Sequence, residues 1–197
     1  MLVTSLITAV LFGALAAAFN LKSPMEGYSI APMSWKAVNT TDGSDLVLYG
    51  TIQELDQQLE VMGDVELSNY TNVVSAATDE NTGSLAPRTK DNIICWVGGS
   101  GAVKNGWLQE GIDYLKRHTQ RPCMADPGYA TCVRISCSYN VAIWLCNDAP
   151  QEVVRPCPEI ATYAEDIRAK CTYGVSIQGQ EFDTDRFNVI IGRELWC

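Results

Sequence analysis

Eight cysteines constrain this chain more than any other feature, because all of them lie in its C-terminal half and none precedes Cys95. An even number of cysteines crowded into about a hundred residues is typical of the disulfide framework of a secreted protein. A zinc site is disfavoured, since zinc ligands come as closely spaced cysteine pairs, often with histidines, and His118 is the single histidine. We therefore predict four disulfides, no metal and no cofactor, with on the order of a hundred pairings left open. The predicted disulfide residues are Cys95, Cys123, Cys132, Cys137, Cys146, Cys157, Cys171 and Cys197.

The N-terminal stretch Leu2–Ala18 is a run of apolar and small residues that ends in three alanines. It is short for a membrane span, and its small-residue end is typical of a signal-peptide cleavage site. We predict a signal peptide over residues 1–18, with cleavage after Ala18, and hence a secreted, extracellular protein. An uncleaved anchor is disfavoured because polar residues follow at once and no second apolar span exists.

Residues 19–88 form a cysteine-free, acidic segment that we interpret as a leader or pro-segment. It contains both N-glycosylation sequons, at Asn39 and Asn69. It ends in Leu85-Ala86-Pro87-Arg88, which resembles the L-x-x-R signal of kexin-like processing proteases, so Arg88 is a predicted cleavage site. The remaining residues, 89–197, make up the predicted cysteine-rich domain.

The charge balance argues against some partners. The chain carries 23 acidic and 14 basic residues, for a net charge of −9, and no basic patch stands out in the sequence. Nucleic acid is therefore not expected as a partner, nor is an anionic membrane surface.

Periodicity within residues 89–197 predicts a strand, a helix, a two-stranded hairpin, a second helix and one or two further strands. The helices are predicted over Trp107–His118 and Pro156–Cys171, and the hairpin over Cys132–Asp148. This order indicates an α+β fold of the split βαβ type, an antiparallel sheet with two helices on one face. In the leader, a strand is predicted over Asp45–Ile52 and a short helix over Gln53–Met62.

Catalytic candidates are few. His118 and Glu110, with Arg117 or Arg121, have the residue types of a secreted ribonuclease, but eight residues of helix separate Glu110 from His118. The more economical interpretation is a solvated helix end, where the dipole favours cations. Asp183 and Asp185 could serve as a glycosidase carboxylate pair, but acids in a tight turn usually serve the turn itself. We therefore predict no catalytic residues.

The hairpin suggests a binding face. If Tyr139-Asn140 forms a two-residue turn, Ala142, Trp144 and Cys146 lie on one face of the second strand and Val141, Ile143 and Leu145 on the other. We expect the helices to cover the first face. The strip Val141, Ile143 and Leu145 is then a possible binding face, covered by the leader before cleavage and by a partner afterwards.

Three stretches carry a family resemblance: CVRISCSYNVAIWLCND at 132–148, IATYAEDIRAKC at 160–171, and GQEF…FNVIIG…C at 179–197. Together with MSWKAV…LYGTIQEL near the N-terminus, they resemble a family of small secreted cysteine-rich proteins of filamentous fungi. In its order of elements, the cysteine-rich domain is similar to killer toxins of smut fungi and to killer-toxin-like effectors.

The resemblance implies a fungal effector or toxin-like protein that acts without catalysis, by binding an extracellular protein or glycan of a host or competitor. The alternatives are a ribonuclease-like secreted hydrolase and a cell-wall glycan-binding module. A cleft holding His118 with a carboxylate and an arginine would favour the hydrolase. A row of rings such as Trp96, Trp107 and Tyr114 would favour the glycan-binding module.

Overall fold

A computed structural model describes residues 22–68, 90–195 and 197. The predicted signal peptide with Ala18, the sequon at Asn69 and the predicted processing site at Arg88 lie outside these residues. The described part is a mixed α+β structure with three helices and mostly antiparallel sheets. The helices are α1 (Ile52–Met62), α2 (Asn105–Arg117) and α3 (Cys157–Cys171).

A six-stranded sheet forms the centre of the molecule, in the order β1-β8-β9-β14-β13-β5. Neighbouring strands are antiparallel, except that β1 runs parallel to β8. The strands are β1 (Ser29–Ala31), β5 (Lys90–Cys95), β8 (Thr131–Ser138), β9 (Val141–Asn147), β13 (Gly179–Asp183) and β14 (Phe187–Arg193). From β5 onward, the strands of this sheet and the two longer helices follow the order predicted from periodicity, whereas β1 was not predicted.

Three small sheets surround the central one. The first is β3-β2-β4, with β2 (Ser34–Asn39), β3 (Asp45–Tyr49) and β4 (Val65–Leu67). The second pairs β7 (Pro122–Ala125) with β10 (Val153–Pro156), and the third is β11-β12-β6, with β6 (Val103–Lys104), β11 (Thr172–Tyr173) and β12 (Ser176–Ile177).

Helices α2 and α3 pack on one face of the central sheet through the side chains that their periodicity predicted. Leu108, Ile112 and Leu115 of α2 are buried, as are the inward residues of α3, which include Ile160 and Ile167. Pro158 lies in the first turn of α3, where a missing N–H costs nothing. Helix α1 begins with a capping box, in which Thr51 accepts from the Glu54 N–H and Glu54 accepts from the Thr51 N–H.

All eight cysteines are paired, which confirms the predicted disulfide framework. The pairs are Cys95–Cys171, Cys123–Cys157, Cys132–Cys146 and Cys137–Cys197. Cys95–Cys171 joins β5 to the end of α3, and Cys123–Cys157 joins β7 to the start of that helix. The other two bridges fasten the β8–β9 hairpin within itself and to Cys197.

The hairpin forms as predicted, with a two-residue turn at Tyr139-Asn140, but its covered face differs from the prediction. A β-bulge at Ile135 shifts the register between Arg134 and Ser136. As a result, Val133 lies on the same face as Leu145 and on the opposite face from Cys137. Strict alternation of side chains along β8 would place Val133 and Cys137 on one face, so the sequence pattern does not reveal the change. The helix-covered core contains Val133, Ile135, Val141, Ile143 and Leu145.

The prediction that the helices leave Val141, Ile143 and Leu145 uncovered is therefore wrong. Their exposed fractions are 5%, 1% and 0%. Gly111 of α2 lies over Ile143, where a Cβ at the glycine would be 3.3 Å from Ile143 Cδ1. The opposite face, with Trp144 and the Cys132–Cys146 bridge, packs against Met25, Tyr28 and Ile30.

Candidate functional site

Four aromatic side chains lie exposed along one side of the cysteine-rich part, and we call them the aromatic surface. They are Trp96, Trp107, Tyr139 and Tyr173, with exposed fractions of 47%, 38%, 53% and 80%. Trp96 follows β5, Trp107 lies in the first turn of α2, Tyr139 is in the β8–β9 turn and Tyr173 is in β11. Exposed aromatic rings are enriched at binding sites, because each offers a large contact area at a low entropic cost.

The rings form two pairs. The ring centroids of Trp107 and Tyr139 lie 5.8 Å apart and the rings are stacked. The centroids of Trp96 and Tyr173 lie 6.4 Å apart, with the rings edge to face. Both geometries are favourable for aromatic pairs, so each ring holds its neighbour in place.

The small sheet β11-β12-β6 connects the two pairs. Tyr173 is directly opposite Ser176, and Ser176 is directly opposite Lys104, so these three side chains point to the same face. The Lys104 ammonium lies 4.6 Å from the Trp107 ring centroid, a cation–π contact. The Ser176 hydroxyl and the Lys104 ammonium therefore lie between the two ring pairs.

A cavity of about 390 Å³ opens beside these side chains, and Trp107 and Val175 line it together with Lys104 and Asn105. Val175 is itself 74% exposed. The cavity therefore offers apolar contact area next to hydrogen-bonding groups, the combination typical of ligand sites.

Two of the four rings sit on unusual backbone. Trp96 has φ +62° and Tyr139 has φ +51°, both in the left-handed region that bulky residues rarely adopt. At Tyr139 the turn requires this conformation, and asparagine or glycine would meet the requirement at a lower cost. Because non-glycine residues in this region cluster at functional sites, Trp96 and Tyr139 motivate a hypothesis of function, although Ala130 and Arg186 share the conformation elsewhere.

A second cluster surrounds His118, whose carboxylate partner is Asp56 of α1 and not Glu110. His118 Nε2 lies 3.1 Å from Asp56 Oδ2, and Asp56 also accepts hydrogen bonds from Tyr114 and Arg121. The predicted histidine and arginine are thus brought together with a carboxylate that sequence reasoning missed. The Tyr114 ring lies beside His118, with centroids 4.7 Å apart, and is not part of the aromatic surface.

Burial, and secondarily the Arg117 cation, lower the pKa of His118, and burial lowers the pKa of Arg121. A nearby carboxylate favours the imidazolium, but Arg121 already neutralises Asp56, so burial dominates. Burial and Arg117 thus both favour the neutral imidazole, whose Nε2 atom lies 3.1 Å from Asp56 Oδ2. This arrangement fastens α1 to the end of α2.

The acidic turn after β13 serves the structure, as predicted. Asp183 accepts from the Asp185 N–H at 2.7 Å and from the Tyr163 hydroxyl at 2.6 Å. Asp185 accepts from Arg155 Nη2 at 2.7 Å. Both carboxylates are thus held by structural partners.

A further cavity, of about 530 Å³, lies where α1 and the end of β3 meet β8. Tyr49, Val61 and Met62 supply exposed apolar walls, and Arg134 of β8 borders it. The Arg134 Nη2 atom is 3.9 Å from Glu54 Oε1, a loose ion pair.

Comparison of the chain with protein-family models, curated proteins and solved structures finds no match. Among the residues that the structure describes, no three or more His, Cys, Asp or Glu side chains are grouped so that they could hold a metal ion. Nor does this part of the chain contain a helix that is long and apolar enough to cross a membrane.

Asn39, the predicted glycosylation site within the described residues, is partly buried at the end of β2. Its side-chain oxygen accepts from the Thr41 N–H at 2.8 Å, which closes a local turn before β3. Whether Asn39 carries a glycan stays a prediction.

Proposed function

We propose that this chain is a secreted fungal cysteine-rich protein of the killer-toxin-like effector type, with a split βαβ core, which binds an extracellular target of a host or competitor without catalysis. The four disulfides support a stable extracellular protein. The single observation that carries the binding role is the aromatic surface, because the fold maintains exposed rings at Trp96 and Tyr139 against the backbone preference of those residues.

A second candidate, a cell-wall glycan-binding module, has support from the same surface. Its two ring pairs lie on either side of the Ser176 hydroxyl and the Lys104 ammonium, and a sugar offers both apolar C–H faces and hydroxyl groups. Two of the three rings that the sequence singled out, Trp96 and Trp107, belong to this surface.

A third candidate is a hydrolase, which the Asp56, His118 and Arg121 cluster favours by residue type. The geometry weakens it, because Tyr114 and Arg121 already engage the carboxylate that would orient the histidine. His118→Ala separates this candidate from the others. RNA hydrolysis by the secreted protein that disappears in this variant would overturn the non-catalytic proposal.

The main test measures binding of the secreted protein to plant and fungal cell-wall preparations by co-sedimentation. We expect the double variant Trp107→Ala/Tyr173→Ala to lose at least about tenfold in affinity, as is typical when exposed aromatic anchors are removed. Tyr129→Ala is the matched control. Tyr129 is 66% exposed, but it precedes β8, whereas Tyr139 of the aromatic surface follows the other end of that strand. Equal binding by the double variant and the wild type would contradict the proposal.

Pretreatment of the preparation then identifies the class of target. Loss of binding after protease treatment indicates a protein target. Loss after glycan oxidation, with binding retained after protease treatment, indicates the glycan-binding module.

A further inference from the structure

Residues 22–68 contribute large side chains to the core that α2, α3 and the central sheet form. Trp35, Ile52 and Leu55 are fully buried, and Met33 is 1% exposed. All four belong to the same apolar cluster as Leu108, Ile143 and Leu145. The Trp35 indole N–H donates to the Pro122 carbonyl at 3.2 Å, across 87 residues of sequence. The predicted leader is thus continuous with the core of the cysteine-rich part.

The same segment also covers the opposite face of the central sheet. Strand β1 pairs with β8 over three residues, and Met25, Tyr28 and Ile30 pack against the face that holds Trp144. The Tyr28 hydroxyl accepts from Asn188 Nδ2 at 3.1 Å. Residues 22–68 therefore enclose the β8–β9 hairpin from both sides.

Polar contacts fix the position of residues 22–68 against the cysteine-rich part. Asp56 meets Tyr114, His118 and Arg121, as described above. One turn before Asp56, Gln53 donates to Ser136 Oγ at 2.7 Å and accepts from the Cys137 N–H at 3.4 Å. These contacts place α1 against α2 and the bulged part of β8.

We propose that residues 22–68 are a permanent part of the folded protein and stay bound as a separate chain when the backbone is cut between 68 and 90. No disulfide crosses this interface, because every cysteine lies at or after Cys95, so the association after a cut is noncovalent. Removing the segment would expose the apolar side chains on both faces of the hairpin to water. The predicted leader is, on this view, a subunit and not a detachable cover.

One surface cavity of the processed protein also depends on residues 22–68. The cavity of about 530 Å³ takes Tyr49, Val61 and Met62 from one part and Arg134 from the other. It is complete only while residues 22–68 remain bound.

The test uses the full-length secreted chain with a site for a specific protease engineered between residues 76 and 80. The folded, oxidised protein is cut, and native mass spectrometry and size-exclusion chromatography then show whether the fragments remain together. We expect a single 1:1 species at micromolar concentration, which separates only after denaturation. Fragments that separate under native conditions would overturn the proposal.

Two variants of the cut protein test the polar contacts of Asp56. We expect Asp56→Asn to raise the dissociation constant of the fragments at least about tenfold, since it removes an ion pair that is partly shielded from water. Glu60→Gln, a change at an exposed position one turn further along α1, is expected to match the wild type. Equal dissociation constants for the two variants would overturn the role assigned to Asp56.

Discussion

Glu181 is a carboxylate buried in the central sheet. Its side chain is 2% exposed on β13, and its Oε2 atom is buried without a hydrogen-bond partner in the described part of the chain. Burial raises the pKa of Glu181 to about 7. The Lys90 and Lys170 cations oppose this shift, and the carboxylates of Asp166 and Asp183 add to it. The folded protein therefore holds a proton here that the unfolded chain releases at much lower pH.

This shift predicts a pH-dependent loss of stability. Between the unfolded pKa, about 4.3, and the folded value, the folded state binds more protons, so the free energy of unfolding falls as pH rises through that window. We expect Glu181→Gln, which cannot ionise, to be more stable than the wild type by about 3 to 4 kcal/mol at pH 7.5 and by little at pH 4. Denaturant unfolding at several pH values checks this.

The control for that series is Glu152→Gln, at an exposed position just before β10. It is expected to leave the pH profile unchanged. If the free energies of unfolding of the wild type and Glu181→Gln differ by a constant amount between pH 4 and 7.5, Glu181 does not titrate in this window.

At the scale of elements, the sequence predicted the helices better than the sheets. Leu108, Ile112 and Leu115 recur with a helical period, and such a pattern is legible in one segment alone. No residue pattern in β8 indicates the bulge at Ile135. Because of the bulge, the helices cover the face of the hairpin that was predicted to be uncovered. Two-residue strands such as β11 and β12 depend on partners elsewhere in the chain and have no pattern of their own.

The candidate site was predictable only in part, for a related reason. Trp96 and Trp107 were named as rings of a glycan-binding row, but their alignment with Tyr173 depends on the register of three short strands. The sequence favoured a solvated helix end at His118, with Glu110 of the same helix as the candidate partner considered, yet the chain supplies Asp56 from 62 positions earlier. Contacts over such separations follow from the tertiary fold, which periodicity does not describe.

Helix–sheet packing makes a prediction at Gly179 of β13. A Cβ there would lie 2.8 Å from Ile167 Cγ2 and 2.9 Å from Cys171 Sγ, both on α3. We expect Gly179→Ala to lower the free energy of unfolding by about 1 to 3 kcal/mol, because α3 and its disulfide must move away from the sheet. Denaturant unfolding under oxidising conditions measures the change.

Gly106 of α2 provides the matched control. An added Cβ there meets nothing within 4 Å, so Gly106→Ala is expected to stabilise the helix by up to about 1 kcal/mol. A Gly179→Ala protein as stable as the wild type would show that α3 packs less closely than the structure indicates.

For the whole molecule, the shared core indicates one cooperative unit. Trp35 belongs to residues 22–68 but is buried among side chains of the cysteine-rich part. A substitution at Trp35 should therefore destabilise both residues 22–68 and the cysteine-rich part.

We expect Trp35→Ala to lower the free energy of unfolding by about 3 to 5 kcal/mol while unfolding remains a single transition. Thermal unfolding followed by circular dichroism, together with intrinsic fluorescence, checks both statements. Two separate transitions, with only one of them moved by the substitution, would show that the parts fold independently.

The strand order of the central sheet also determines when this protein can fold. Strand β1 pairs with β8, which begins 102 positions later in the sequence. Strand β14 lies between β9 and β13 in the sheet but is the last of its strands in the sequence. A nascent chain can close the local β8–β9 hairpin, but the sheet cannot be completed until residues 187–193 have been synthesised. Such a high contact order slows folding and leaves apolar strands exposed in the meantime. Production of this protein should therefore depend on chaperones and disulfide isomerases that act after translation.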